Sequence, residues 1–154
     1  MKLLGLKGCE KNFSFSELKD GIHLFCDEYR VMIMEIKVIH SNNIEMAVVE
    51  SEGMLITDVQ SALDLMATVK YESGCSRLII SKEAVADAFF ILSTGIAGEI
   101  LQKFINYGVK LAIVGGYSKY TSKPLKDFMY ESNSGRDIFF AASEAEAVEK
   151  LCRQ

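Results

Sequence analysis

The chain has 154 residues, of which 49% are hydrophobic and 25% charged, with eleven glycines and one proline. This is the balance of one ordinary folded domain and excludes disordered, collagen-like and disulfide-scaffold classes. Seventeen Lys and Arg against twenty-one Asp and Glu leave a net charge of −4, and with no basic cluster this argues against nucleic acid as a partner.

Residues 1–34 differ from the rest. They contain no alanine, and five acidic and five basic residues cancel, so the whole −4 falls on residues 35–154. Phe13, Phe15, Leu18, Ile22, Leu24 and Phe25 sustain no period, which predicts a weakly structured N-terminal extension. Two readings stand for it: a real arm packed on the domain, or a misassigned start with Met34 as the true first residue. The domain itself is expected over 35–154.

From Glu35 the pattern becomes regular. Residues 35–40 alternate polar and apolar, Asn42-Asn43 is turn chemistry, and residues 44–49 are β-branched and apolar, together predicting a hairpin. Thr57-Asp58-Val59-Gln60 opens a helix as a capping box, with Val59, Ala62, Leu63, Met66 and Val69 on one face and Gly74 near its end. Arg77-Leu78-Ile79-Ile80-Ser81 reads as an interior strand of a sheet covered on both sides. After a helical or irregular stretch through Phe89-Phe90, Ser93-Thr94-Gly95 opens a helix. Its positions Ile96, Ile100, Leu101 and Phe104 point inward and Glu99, Gln102, Lys103 and Asn106 outward. Gly108 stops this helix, residues 109–114 form a buried strand closed by Gly115-Gly116, and Ser122-Lys123-Pro124 caps the next helix. Residues 137–141 are the last strand, and Ser143-Glu144-Ala145-Glu146 is a second capping box. The expected fold is α/β, a mixed, mostly parallel sheet with an N-terminal hairpin and helices packed on it, in the order β-β-α-β-α-β-α-β-α.

Chemistry-bearing residues are sparse. Cys9, Cys26, Cys75 and Cys152 form no C-x-x-C pair, and His23 and His40 stand at no ligand spacing to them, so no metal site is expected. Lys7 breaks the apolar start before a secretory core forms, and no run reaches the ~20 apolar residues that span a bilayer. A cytoplasmic protein with free thiols and no membrane contact is expected. No dinucleotide or P-loop fingerprint is present, and no cofactor is implied. Two segments remain. Ser93 and Thr94, with Gly95, stand at a helix start where amides and the helix dipole favour added negative charge, so a phosphoryl group there would be tolerated. Gly115 and Gly116 lead into a loop carrying Lys119, Thr121, Ser122 and Lys123 ahead of another helix N-terminus, a candidate anion site.

The run Arg77-Leu78-Ile79-Ile80-Ser81, then Leu92-Ser93-Thr94-Gly95-Ile96-Ala97-Gly98, then Gly108-Val109-Lys110-Leu111, then an acidic terminal helix, resembles the later part of a STAS domain. That is the fold of anti-sigma-factor antagonists. The resemblance places Ser93 at the serine that partner-switching antagonists phosphorylate, with Leu92 in place of the motif aspartate and a longer connection from Ser81. Leu55-Ile56-Thr57-Asp58-Val59-Gln60 and Ala97-Gly98-Glu99-Ile100-Leu101-Gln102-Lys103-Phe104 more specifically resemble a bacterial domain-of-unknown-function family, number forty-one-eighty, over essentially residues 35–151.

These features give a leading expectation and two others. The first is a non-catalytic regulatory domain that binds a protein partner through Ser93, Thr94, Gly95, Glu99, Gln102 and Lys103. The second is a small-ligand or anion-binding domain, or minor enzyme, with a pocket near Ser93 and the 115–123 loop. The third is a homodimer formed through an exposed sheet edge.

Overall fold

The structure is a computed structural model and describes residues 22–27 and 30–153. The extension expected over residues 1–34 therefore lies mostly outside the described residues, as do Cys9, Phe13, Phe15 and Leu18. Strand β1 (Ile22–Asp27) pairs antiparallel with β2 (Arg30–Ser41), His23 standing opposite Met34. So β2 begins earlier than the alternation from Glu35 suggests, and Met34 is fully buried.

Asn42 and Asn43 then adopt φ of 51° and 62°, the left-handed pair that a two-residue hairpin requires. They join β2 to β3 (Ile44–Ser51) with Ser41 opposite Ile44. From β3 onward each of the first three helices returns the chain to begin a parallel strand. The elements are α1 (Val59–Ser73), β4 (Arg77–Ser81), α2 (Ile96–Asn106), β5 (Lys110–Val114), α3 (Lys123–Ser134), β6 (Ile138–Ala141) and α4 (Glu144–Cys152). The sheet runs β1-β2-β3-β4-β5-β6, antiparallel across its first two pairings and parallel across the other three. The expected order is found from β2 onward, with β1 added ahead of it.

Strand periodicity divides the core into two layers, because successive side chains leave opposite faces. Leu78, Ile80, Leu111, Ile113, Ile138 and Phe140 pack with Leu65, Met66, Ile100, Phe104 and Leu125, which puts α1, α2 and α3 on one face. Ile79, Ala112, Phe139 and Ala141 pack with Ala147 and Leu151, which puts α4 on the other. Strands buried on both faces read as continuous apolar runs, which is how residues 77–81 and 109–114 stand in the sequence.

The helix starts differ in detail from the expected boxes. Asp58, not Thr57, caps α1: its Oδ1 accepts the Ser61 N–H at 2.7 Å, and Ser61 Oγ accepts the Asp58 N–H at 3.0 Å. Ser61 takes the place expected for Gln60, since its short hydroxyl reaches back to the Thr57 N–H as well, at 2.9 Å. At α4 the Ser143 hydroxyl accepts the Glu146 N–H at 3.2 Å, but Glu146 Oε2 takes the Ala142 N–H, one residue before the cap. Gly74, with φ of 71°, closes α1 in the left-handed conformation that spares glycine a Cβ clash.

The edge strand β6 is closed by a side chain. Asn133 of α3 accepts the Phe140 N–H at 2.7 Å and donates to the Phe140 carbonyl at 3.1 Å, taking both main-chain groups that Phe140 would offer a further strand.

Candidate functional site

Both segments singled out in the sequence lie beyond the carboxyl ends of the parallel strands, where open α/β sheets bind ligands. The connection from β4 to α2 is three short 3-10 turns, Lys82–Ala84, Asp87–Phe90 and Leu92–Thr94. The first is pinned to the loop before α1: the Leu55 and Ile56 N–H groups both donate to the Ala84 carbonyl, at 2.7 and 3.0 Å, and Ala86 N–H donates to the Ile56 carbonyl at 2.8 Å.

Neither Ser93 nor Thr94 caps α2. Gly95 occupies the cap position with φ of 75° and no side-chain bond, a conformation open to glycine at little cost. Thr94 Oγ1 turns back to donate to the Ile91 and Ala88 carbonyls at 2.8 and 3.1 Å and also accepts the Ile96 N–H at 3.3 Å. Its hydroxyl fastens the last turn. Ser93 is exposed and makes no hydrogen bond among the described residues.

Along α2 the inward residues are Ala97, Ile100, Leu101 and Phe104, with Ile96 half-buried at the rim. Glu99 and Gln102 are exposed, Lys103 is half-buried, and Gln102 donates to Asn106 at 2.9 Å. Ile91, just ahead of Ser93, is 55% exposed. A cavity of about 280 Å³ between α2 and α3 is lined by Gly98, Gln102, Ile105, Glu131 and Arg136 among others.

The loop after β5 carries the second set. Gly116, Lys119, Thr121, Ser122 and Lys123 are exposed, and Gly115 is half-buried. Lys123 is paired with Asp127 at 2.6 Å, and Ser122 begins α3 without a side-chain cap bond. Within the loop Tyr117 donates to the Ile113 carbonyl at 2.8 Å, and burial raises its phenol above the ordinary range. The structure brings the two segments together through aromatic rings. Phe90, from the connection that carries Ser93, stacks on Tyr120 at 5.2 Å between centroids and lies 6.3 Å from Tyr117.

A family model described as Domain of unknown function (DUF4180) matches residues 41–151. The chain belongs to this family. No curated protein matches it significantly. The DUF4180 match begins at the last residue of β2 and ends in α4, so it takes in both candidate segments.

Sequence reasoning missed one residue of this region. Lys82, directly after β4, is 8% exposed, and its ammonium lies 5.2 Å from the centre of the Tyr120 ring. Its only local signal is a lysine following a buried strand, the usual mark of a chain reaching solvent. Among the described residues no group of three or more His, Cys, Asp or Glu is placed to hold a metal ion, and no helix is long and apolar enough to cross a membrane.

Proposed function

We propose that this DUF4180 domain is a non-catalytic, STAS-like regulatory module that acts in the cytoplasm by binding a protein partner through the start and outer face of α2. The observation that carries the reading is the exposed run at that start. Ile91 leads it as an apolar anchor, Ser93, Thr94 and Gly95 follow, and Glu99 and Gln102 extend it along the helix. A partly exposed apolar residue rimmed by polar ones is the usual composition of a transient protein interface. The adjoining cavity beside Gly98, Gln102 and Ile105 offers a partner side chain a place to lodge. Support for the STAS-like reading comes from Ser93, which follows a buried parallel strand and precedes the helix, as the modified serine does in the antagonists.

The free hydroxyl of Ser93 makes it the modification candidate, since Thr94 is committed to the turn. Phosphate at Ser93 would add a charge of about −2 to a face that already carries Glu99, making it strongly negative. The test is co-purification from the native host of wild-type protein, Ser93→Glu and Glu99→Arg, with phosphosite mass spectrometry on the same material. A partner captured by the wild type and lost from both variants is the expected result. Identical interactions in all three proteins would refute the reading.

A further inference from the structure

Among the described residues Lys82 is the one buried side chain that carries a charge, and its ammonium meets no acceptor there. Thr68, the other buried polar residue, satisfies its hydroxyl on the Asp64 carbonyl at 2.8 Å. An ammonium has three N–H donors, and burying it without acceptors or a counter-ion is expensive. The face of Tyr120 offers cation–π attraction but no acceptor.

The burial is built. A Cβ on Gly115 would stand 2.6 Å from Lys82 Cβ and 3.1 Å from its Cδ, so glycine at the end of β5 is what lets the lysine stem cross there. A chain needing only apolar filling would use methionine or leucine in that slot. Lys119, from the loop after β5, brings a second ammonium to 6.0 Å from the same ring.

The Glu83 carboxylate attracts both lysines electrostatically. Glu83 accepts a short hydrogen bond from the Ser81 hydroxyl, which with its own N–H holds the carboxyl below the ordinary range, and it forms no ion pair with either lysine. Two cations over one ring, at the carboxyl edge of a parallel sheet, thus face one carboxylate that attracts both and forms an ion pair with neither. Gly116 beside them is exposed, with open space where a Cβ would be.

We infer that Lys82 and Lys119 together hold a small doubly charged anion, a phosphoryl group, against Tyr120. The phosphoryl group is either free phosphate or the end of a phosphate monoester. This site is separate from the α2 face and does not depend on a protein partner.

The experiment titrates the full chain, at low ionic strength, with inorganic phosphate and in parallel with glycerol 3-phosphate. Amide shifts of Gly115, Gly116 and Lys119 are followed by nuclear magnetic resonance, and the melting temperature is compared with sodium chloride of matched ionic strength. Saturable shifts at these amides are expected, with a melting temperature raised by the phosphate probes and not by the salt. Lys82→Met keeps the stem without the charge. It is expected to lose at least about tenfold in affinity while melting no lower than wild type. Lys119→Ala is expected to weaken binding without change in fold. Tighter binding of the monoester identifies an ester as the source, and equal binding identifies the phosphoryl group alone. Absence of saturable shifts with both probes would overturn the inference. So would titrations of wild type and Lys82→Met that superimpose, or a Lys82→Met protein that is destabilised while Lys119→Ala binds as wild type.

Discussion

Replacing Asn133 by alanine removes both hydrogen bonds that close the β6 edge, the 2.7 Å bond from the Phe140 N–H and the 3.1 Å bond to the Phe140 carbonyl. The carbonyl keeps a long contact from Lys150 Nζ at 3.4 Å, whereas the N–H keeps none. Phe140 is 3% exposed, so its orphaned amide is poorly placed to recruit water. Two bonds at about 0.5–1.5 kcal/mol each suggest a loss of about 1–3 kcal/mol. Alanine returns about 0.6 kcal/mol through better helix propensity in α3. A net loss near 1.5 kcal/mol lowers the melting temperature by roughly 3–6 °C for a chain of this size. Urea unfolding and calorimetry on wild type and Asn133→Ala measure it, with Ser134→Ala as the control on the same helix end. Native-state hydrogen exchange adds a local readout, because protection of the Phe140 amide should fall more than that of Ile113 in the neighbouring strand. Equal stability within about 0.3 kcal/mol, with unchanged Phe140 protection, would refute the reasoning: the edge would then be satisfied without the asparagine.

Three other perturbations test separate links. Gly115→Ala should cost about 1–3 kcal/mol by overpacking against the Lys82 stem. In a Lys82→Gly background, which removes the Cβ at 2.6 Å along with the stem, most of that cost should vanish in chemical denaturation, giving a clear coupling energy. Gly95→Ala should destabilise by about 1–2 kcal/mol through its φ of 75°, with Gly95→Asn milder, both read by thermal melting. The Glu146 carboxyl is held below its ordinary value first by the Ala142 N–H and then by Lys150, and that of Glu83 first by the Ser81 hydroxyl and then by its own N–H. A depressed folded value means the unfolded chain takes up protons first as pH falls. The stabilisation is therefore complete above the ordinary glutamate range and is lost below it. Melting temperatures of Glu146→Gln and wild type should converge on acidification from neutral pH toward about pH 3. A gap that stays constant would show that the charge of Glu146 is irrelevant.

What the amino-acid sequence determined by itself was everything set over short distances. Apolar runs at 77–81 and 109–114, the Asn42-Asn43 turn and the glycines ending α1 and α2 are local signals, because strand burial, φ above zero and helix termination act within a few residues. The hydroxyl-led start of α2 was legible for the same reason, although the cap moved to Gly95 once Thr94 could reach the Ala88 and Ile91 carbonyls. Cap identity depends on which acceptor the preceding turn presents. Only the tertiary structure decided that β1 lies beside β2, that among the described residues α4 is the helix covering the second face and that Asn133 closes the edge at Phe140. It also decided that Lys82 from one connection and Lys119 from another meet over Tyr120. Residues some forty positions apart leave no periodic trace of their meeting. Their chemistry exists only because parallel β4 and β5 deliver both loops to one edge of the sheet.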